Sequence, residues 1–436
     1  MAGLAVAATA ALVPALAGSG AAQAATTDDF TLHPAATKAA SLSSSLNKKL
    51  YRDSVSTILK KANRKARKGT ACHTNAFAGE SVTNWRYCFD GADSKSPEWV
   101  PQGVTGVSDA KANESWNGTK PLLVSWYDSK NAACHKGSPD WCHKKGSRIS
   151  FLDSQTGRYA NVLLAYPKVN SAHHLSYSPV NVHAGGITWY GNYLYVADTY
   201  RGIRVFDMRR IFDLNPDGKA KTNDKQQDAD VRSSVRNKNK IGRHDNIFYG
   251  YGYRYVMTQV AAYTHPTASS SNANCGTGYG RSSYLSIDRS TKPDTIVNGE
   301  FCRDTNGRVV RYPLDASTGK LKMTVTRTSD SVVPTETHRL PVKGVQGAAV
   351  YDRVWYFNTS HGCKANSNGL LYKAITPAGV RSPLVLSGAP KKVATGNEDL
   401  YVWRGKKKLV SISEYRSTMP NCYASHVGRT VYGTGL

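Results

Sequence analysis

The sequence predicts an all-β fold built from repeated antiparallel meanders, and three observations carry this prediction. First, residues 182–208 alternate apolar and polar side chains in three short runs, separated by turn signals at Gly191-Asn192 and Arg201-Gly202. Second, the same unit returns further along the chain. Third, the 436 residues include 37 glycines and 25 tyrosines, a composition that favours turns and strands over long helices.

The first 24 residues are predicted to be a secretory signal peptide. They carry no charge, are apolar from Leu4 to Leu16, and end in the small-residue cleavage pattern Ala22-Gln23-Ala24. No Lys or Arg precedes the apolar run, so either the signal is atypical or the true start lies upstream. A membrane anchor is the competing interpretation, which the short, Ala-rich run disfavours. We therefore expect a secreted, extracellular protein without a transmembrane segment.

Residues 25–70 are predicted to form a basic helical segment. The apolar residues at roughly helical spacing are Leu46, Leu50, Val55, Ile58 and Leu59. Six lysines and arginines follow between residues 60 and 68, and Gly69 can end the helix. Such a helix could contact an anionic surface, or it could pack as a solvated helix on the edge of the domain.

The remaining residues, 71–436, are predicted to form a β-propeller domain. The pattern G-x-x-x-Y-x-x-x-x-Y occurs at residues 186–195 and 347–356. The stretch Gln102-Gly103-Val104-Thr105 resembles the heads of these two units, and weaker units run through 248–264 and 396–415. One meander buries little apolar surface, so the units must pack side by side, and radial closure of such units gives a propeller. We predict about five four-stranded blades, and the polar insert at 214–244 leaves six or seven open.

These inner strands, together with the outer strands GIRVFD and FLDSQTGR, resemble secreted β-propeller proteins of bacteria. The resemblance covers about 330 residues, from near Glu98 to the C-terminus. It implies the fold. It implies no named catalytic family, because propellers carry many activities.

Eight cysteines in a chain predicted to be exported indicate disulfides. The natural local pairings are Cys72–Cys88, Cys134–Cys142, Cys275–Cys302 and Cys363–Cys422, although sequence alone does not fix the connectivity. A zinc site at Cys134-His135 and Cys142-His143 is the alternative. That spacing matches no common zinc motif, so we predict no metal site. No motif predicts a cofactor either.

The charge balance is the strongest global signal for a partner. Lys plus Arg total 57 against 31 Asp plus Glu, a formal net charge of +26. Such a field attracts anionic polymers in a salt-dependent way, although it could also serve solubility alone. We predict an anionic polysaccharide or cell-wall polymer as the partner of a monomeric protein. A protein partner is the alternative, and specific nucleic-acid binding is not expected.

The heads of inner strands and the loops after second strands meet on one face of a propeller, so residues distant in sequence could build one site there. Four residues are predicted to be catalytic, namely His183, His244, Arg201 and Tyr251. Six more are predicted to bind substrate, namely Gln102, Arg243, Asn246, Gln346, His361 and Glu398. An arginine can clamp a carboxylate and a histidine can move a proton near neutral pH. A polar, water-filled channel mouth would show the same residue types.

Three functions remain open from the sequence. The first is a non-enzymatic module that binds an acidic glycan. The second is a polysaccharide lyase, in which an arginine neutralises the uronate, His183 or His244 is the base and Tyr251 is the acid; a glycoside hydrolase ranks lower because only Glu398 and Asp245 are suitably placed carboxylates. The third is a protein-interaction platform.

Overall fold

The computed structural model describes residues 26–436 except 78–79, 81–82, 84, 130–144, 217–224, 227–231, 267–272, 305, 326–328, 365–366, 377–383, 418 and 424–427. About half of the chain is in strands (49%) and 9% is in helices, which confirms the predicted all-β class. The predicted signal peptide and the Cys134–Cys142 pair lie outside the described residues. Within them, no helix is long and apolar enough to cross a membrane.

Five antiparallel four-stranded units form most of the described chain. Unit 1 consists of Trp99–Gly106, Pro121–Asp128, Ser147–Asp153 and Arg158–Val169. Unit 2 consists of Ile187–Tyr190, Tyr193–Asp198, Gly202–Asp213 and Tyr255–Thr264. Unit 3 consists of Tyr284–Asp288, Thr295–Gly299, Arg308–Asp315 and Glu336–Arg339. Unit 4 consists of Val345–Tyr351, Val354–Thr359, Asn368–Ile375 and Lys391–Thr395. Unit 5 consists of Tyr401–Trp403, Lys408–Ile412, Thr430–Gly435 and Arg86–Cys88.

The first strand of each unit, which we call its inner strand, contacts the inner strands of the two neighbouring units. The contacts run from unit 1 to unit 5 in order, and the inner strand of unit 5 returns to that of unit 1. This ring is a β-propeller-like arrangement. It places the heads of the inner strands around one axis.

The fifth unit combines strands from the N-terminal and C-terminal parts of the described chain, and their pairing closes the ring. Arg86–Cys88 pairs antiparallel with Thr430–Gly435, with Cys88 opposite Thr430. A disulfide from Cys72 holds Cys88 in place. Units 1 and 2 are further joined by their outer strands, which pair in parallel with Tyr255 opposite Val162.

Short helices, turns and strands lie outside the five units. The α-helices are Ala39–Asn47, Val55–Lys60, Gly91–Ser94 and Val107–Ala110, and the 3₁₀ turns are Asp28–Phe30, Gly69–Ala71 and Arg404–Lys406. The remaining strands are His33–Pro34, Arg52–Asp53, Arg64–Lys65, Arg67–Lys68, Leu175–Pro179, Lys225–Gln226, Arg232–Ser234, Ile241–His244, Ile247–Gly250, Ala273–Asn274, Thr277–Gly278, Lys320–Leu321, Thr324–Val325, Asp330–Ser331 and Val385–Leu386.

The single basic helix predicted within residues 25–70 is replaced by two short helices and several short strands. The Ser54 hydroxyl accepts a hydrogen bond from the Thr57 amide and so caps the start of the second helix. Before it, Arg52–Asp53 leaves helical geometry to pair with Ile211 and Phe212 of unit 2. Strand pairing with the framework therefore overrides the helical spacing. The five apolar residues of the pattern are nevertheless buried in the main core. The domain division at residue 70 stays a prediction.

The predicted unit at 248–264 is also wrong. Its first part, Ile247–Gly250, belongs to a small sheet with Ile241–His244, Arg232–Ser234 and Lys225–Gln226. Its second part, Tyr255–Thr264, is the outer strand of unit 2. The described part of the 214–244 insert therefore contributes strands of this small sheet, and the missing inner strand is Tyr284–Asp288.

Three of the four predicted disulfides are present, namely Cys72–Cys88, Cys275–Cys302 and Cys363–Cys422. The described cysteines include no free thiol. The core holds large aromatic side chains from several units, and Trp126, Trp189, Trp355 and Trp403 are fully buried. The main core cluster contains buried side chains from units 1, 2 and 5, so packing between units helps to hold their inner strands in place.

Candidate functional site

A cavity of about 890 Å³ opens where the inner strands begin. The heads of four inner strands reach it through Gln102, His183, Ser283 and Gln346. The loops that follow second strands reach it from units 2, 3, 4 and 5, through Tyr200, Arg303, His361 and Glu414 respectively. All five units therefore contribute residues to the lining of this cavity. Of the residues predicted from the sequence, the structure brings Gln102, His183, Gln346 and His361 together here.

His183 lines this cavity and stacks on Tyr127, with ring centroids 4.5 Å apart and an interplanar angle of 28°. Its imidazole makes no hydrogen bond to another described residue. The side chain is exposed to the cavity, and the protein around the ring reduces its solvation, which lowers the pKa of His183 and favours the neutral form. A neutral imidazole at this position can accept a proton or a hydrogen bond from a ligand.

Two glutamine–glutamate pairs lie at the floor of the cavity. Gln102 Nε2 donates to Glu414 Oε2 at 3.0 Å, and Gln346 Nε2 donates to Glu398 Oε1 at 3.2 Å. Glu414 lines the cavity, whereas Glu398 is only 1% exposed. The two glutamines, which are predicted from the sequence as ligand contacts at strand heads, thus also hold carboxyl groups.

The pKa values of both glutamates are raised. Burial raises the pKa of Glu398, and the nearby Glu414 and Asp399 raise it further. Burial also raises the pKa of Glu414, against the opposing effect of its hydrogen bonds with Gln102 and Tyr415 and of the nearby Arg429. Ionisation of these two carboxyl groups is therefore less favourable than that of exposed glutamates.

Basic side chains form the rim. Arg281, Arg303 and Lys343 line the cavity, and the Arg281 guanidinium lies 5.6 Å from the centre of the Tyr200 ring. Arg303 and Lys343 are exposed and form no ion pair with another described residue. Glu414 is the only carboxylic acid among the described lining residues. The cavity is therefore cationic at its mouth.

The sequence did not single out these rim residues. Arg281 lies two residues before Ser283, at the head of the inner strand of unit 3, in a stretch whose glycines and cysteine by themselves indicate only a disulfide-pinned loop. Lys343 lies three residues before Gln346 and Arg303 directly follows Cys302. A correct alignment of unit 3 is the signal that would have found Arg281.

His244, Arg243 and Asn246 lie elsewhere, on the small sheet of the insert. Arg243 Nη2 donates to Asn246 Oδ1 at 2.8 Å, and His244 Nε2 lies 3.0 Å from the Ile241 carbonyl oxygen. Since residues 248–264 supply no inner strand, the expected convergence of His244 with His183 does not occur. These side chains are bonded to neighbouring groups of the insert at the surface.

Arg201, Tyr251 and Glu398 also differ from expectation. Arg201 lines a separate groove of about 460 Å³, together with Asp198 and Arg204. Tyr251 packs against the main core and has a positive φ of 52°, which follows from the turn between the small sheet and unit 2. Glu398 lies behind Gln346, where a ligand in the cavity would reach the glutamine first.

In the described part of the chain, no group of three or more His, Cys, Asp or Glu side chains is arranged to hold a metal ion. The zinc alternative at Cys134, His135, Cys142 and His143 lies outside that part.

No protein-family model and no curated protein matches this chain. Among solved structures, the chain is similar to the β-xylosidase RS223, with 8% identity, coverage of 77% of this chain and 92% of that one, and a TM-score of 0.32. A putative oxidoreductase (glucose dehydrogenase) from Thermus thermophilus has 10% identity, coverage of 78% and 98%, and a TM-score of 0.33. A glycoside hydrolase family 43 arabinoxylan arabinofuranohydrolase from Bacillus subtilis has 10% identity, coverage of 79% and 65%, and a TM-score of 0.29. These values assign the chain to none of the three families.

Proposed function

We propose that the protein is a secreted five-bladed β-propeller that binds an acidic carbohydrate chain in the cavity at the heads of its inner strands. The contacts that run through five inner strands and return to the first support the blade number. The disulfides fit an oxidising, extracellular compartment.

The observation that supports the proposal is the cationic rim of the cavity, where three basic side chains and only one carboxyl group are among the described lining residues. Arg281, Arg303 and Lys343 can pair with the carboxylates or sulfates of an acidic sugar. Burial raises the pKa of Glu414 and so disfavours the ionised form, which would repel an anionic ligand.

The rest of the lining suits the neutral parts of a sugar. Gln102, Gln346 and Ser360 offer hydrogen bonds to hydroxyl groups, and Tyr200 and Phe301 offer ring faces on which a pyranose can stack. The volume of about 890 Å³ lies near the upper end of the range of ligand cavities, which leaves room for more than one sugar unit. The net charge of +26 raises the local concentration of a polyanion.

The double variant Arg303→Ala/Lys343→Ala tests this proposal. We expect it to bind polygalacturonate oligomers about 10- to 100-fold more weakly, because two charge-assisted contacts are lost. The measurement is isothermal titration calorimetry at low and at physiological salt, with neutral xylo-oligosaccharides as the second ligand. The natural chain should bind the acidic oligomers more tightly, and more so at low salt.

The matched control is Lys60→Ala/Arg67→Ala, which removes the same charge from exposed positions away from the cavity. Its affinity should stay within about twofold of the natural chain. Equal losses in both double variants would show that the general field, and not the cavity, attracts the ligand. Equal binding of acidic and neutral oligomers would overturn the preference for acidic sugars.

His183→Ala is expected to abolish or strongly weaken binding while changing the free energy of unfolding by less than about 1 kcal/mol, because only the stack on Tyr127 is lost. Calorimetric titration and thermal unfolding of one variant give both quantities. His244→Ala, on the insert sheet, should leave binding unchanged. A fall of several degrees in the melting temperature of His183→Ala would instead show that His183 is structural.

A further inference from the structure

We infer that this cavity cleaves its acidic chain by β-elimination, with His183 as the base, Glu414 as the acid, and the cluster of Arg281, Arg303 and Lys343 holding the carboxylate of the sugar. The inference rests on the proposed function, since it requires a uronate chain in the cavity. It adds a reaction and assigns a role to each group.

Elimination from a uronate chain needs three groups in one place. A cation must withdraw charge from the carboxylate so that the neighbouring C5 proton becomes acidic, a base must take that proton, and an acid must protonate the departing oxygen on C4. The residues of all three kinds line one cavity: three cations, one unbonded imidazole and one carboxyl group.

His183 meets the requirements of the base. It lies at the head of the inner strand of unit 2, lines the cavity, and is oriented by its stack on Tyr127. No described residue occupies its ring nitrogens with a hydrogen bond. The protein around it lowers its pKa to about 4, so the imidazole is unprotonated and can accept a proton at neutral pH, and the same shift makes it a weaker base than an exposed histidine.

Glu414 meets the requirements of the acid. Its Oε2 accepts a hydrogen bond from Gln102, which leaves the carboxyl group one proton to donate. Hydrogen bonds fix both main-chain polar groups of Glu414. Its amide donates to the Gly396 carbonyl, and its carbonyl accepts from the Arg429 side chain, with the Nε atom at 2.8 Å. Burial raises its pKa above that of an exposed glutamate, which favours the protonated form that an acid requires.

The arrangement favours elimination over hydrolysis. A glycoside hydrolase of the common type uses two carboxyl groups that flank the bond. Among the described lining residues Glu414 is the only carboxylic acid, and its neighbour Glu398 is 1% exposed and lies behind Gln346. Elimination needs one base and one acid besides the cations, and the His183 imidazole and the Glu414 carboxyl group can take these roles.

The step balances without any further reactant. The C5 proton moves to the imidazole of His183, and the electron pair of the C5–H bond forms the C4=C5 double bond. The C4–O bond breaks, and the departing oxygen takes the proton of Glu414. Solvent then removes the proton from His183 and returns one to Glu414, so neither water nor an oxidant is consumed.

The test follows the absorbance of the new double bond, at about 235 nm, with polygalacturonate and with alginate as substrates. We expect Glu414→Gln and His183→Ala each to lower kcat by about 100-fold or more, the scale of general acid–base catalysis. Glu414→Gln should keep its affinity for the chain within about threefold, because the side chain keeps its shape and its bond with Gln102. His244→Ala is the control and should retain full activity.

The outcomes separate this inference from the proposed function. Binding of acidic chains without any rise in absorbance would overturn elimination and leave the binding proposal intact. New reducing ends without absorbance would show hydrolysis instead. Retained activity in His183→Ala or Glu414→Gln, with unchanged melting temperatures, would overturn that residue's role. Failure to bind either substrate would overturn both proposals.

Discussion

Arg148→Met should lower the free energy of unfolding by about 3–5 kcal/mol, because it leaves a buried carboxylate without its main counter-charge. Arg148 is 3% exposed, and its Nη2 lies 2.6 Å from Asp93 Oδ1. Its guanidinium lies 4.5 Å from the centre of the Trp99 ring and 4.9 Å from that of Trp126. Methionine can fill part of the space between the two indoles but offers no charge.

The effect is large because Arg148 is the closer of the two arginines beside Asp93: Arg64 Nη1 lies 3.5 Å from Asp93 Oδ2. The carboxylate also accepts from Tyr159 and Asn161, at 2.8 and 3.3 Å. Burial alone would raise its pKa, but Arg148 and then Arg64 outweigh burial and lower it. An ionised Asp93 therefore stabilises the fold above about pH 4, and this contribution is lost as the pH falls through the lowered folded-state pKa.

Chemical denaturation at neutral pH measures the change, and Lys392→Met is the matched control. Lys392 forms an ion pair with Glu80, at 2.8 Å, in which the two side chains are 59% and 40% exposed. Exposed pairs contribute about 0–1 kcal/mol, so the control should unfold nearly like the natural chain. Similar losses in the two variants would show that burial does not decide the cost at Arg148.

Local sequence signals predicted the strands well where one unit is complete in itself. The alternation and turns of residues 182–208 correspond to three consecutive strands of unit 2, Ile187–Tyr190, Tyr193–Asp198 and Gly202–Asp213. The short-range cysteine pairs were predictable for the same reason. In each case the partners are close in sequence, so the pattern itself contains the contact.

Local sequence signals failed where a strand pairs with a partner that is distant in the sequence. Cys88 and Thr430 are 342 residues apart, yet their strands pair and close the ring. Likewise, tyrosines occupy every second position after Phe248, at Tyr249, Tyr251, Tyr253 and Tyr255. This period of two is that of any half-buried strand. That period cannot distinguish an inner strand from the outer strand Tyr255–Thr264, which pairs in parallel with unit 1.

The site residues were predictable where they lie at the head of an inner strand or in the loop that follows a second strand. Gln102, His183 and Gln346 follow from the repeat, and His361 follows from the loop after a second strand. The rim cations carry no such signal, because the chain has 57 lysines and arginines and the repeat marks none of them. Glu414 was missed because its carboxyl group is defined by its bond to Gln102, 312 residues away.

Glu398→Gln should stabilise the protein at neutral pH, by an amount that grows up to about 1.4 kcal/mol per pH unit above pH 5. Burial, Glu414 and Asp399 raise the pKa of Glu398 well above its usual value. Above about pH 4.3, the unfolded chain releases the Glu398 proton while the folded protein retains it. Stability due to Glu398 is therefore fully present below the unfolded pKa and is lost as the pH rises.

Glutamine keeps the shape and the contact with Gln346 but does not titrate, so it removes this pH-dependent loss.

The matched control is Glu336→Gln, for which the expected change in stability has the opposite sign. Burial raises the pKa of Glu336, but His338 and Arg311 together lower it, so its ionised form stabilises the folded state. Glu336→Gln should thus destabilise the protein at neutral pH, and the difference from the natural chain should fade below about pH 4. Denaturation curves between about pH 3 and 8 give both slopes. A pH-independent difference for Glu398→Gln would show that Glu398 is already ionised in the folded protein, and that the cavity floor is negative rather than neutral.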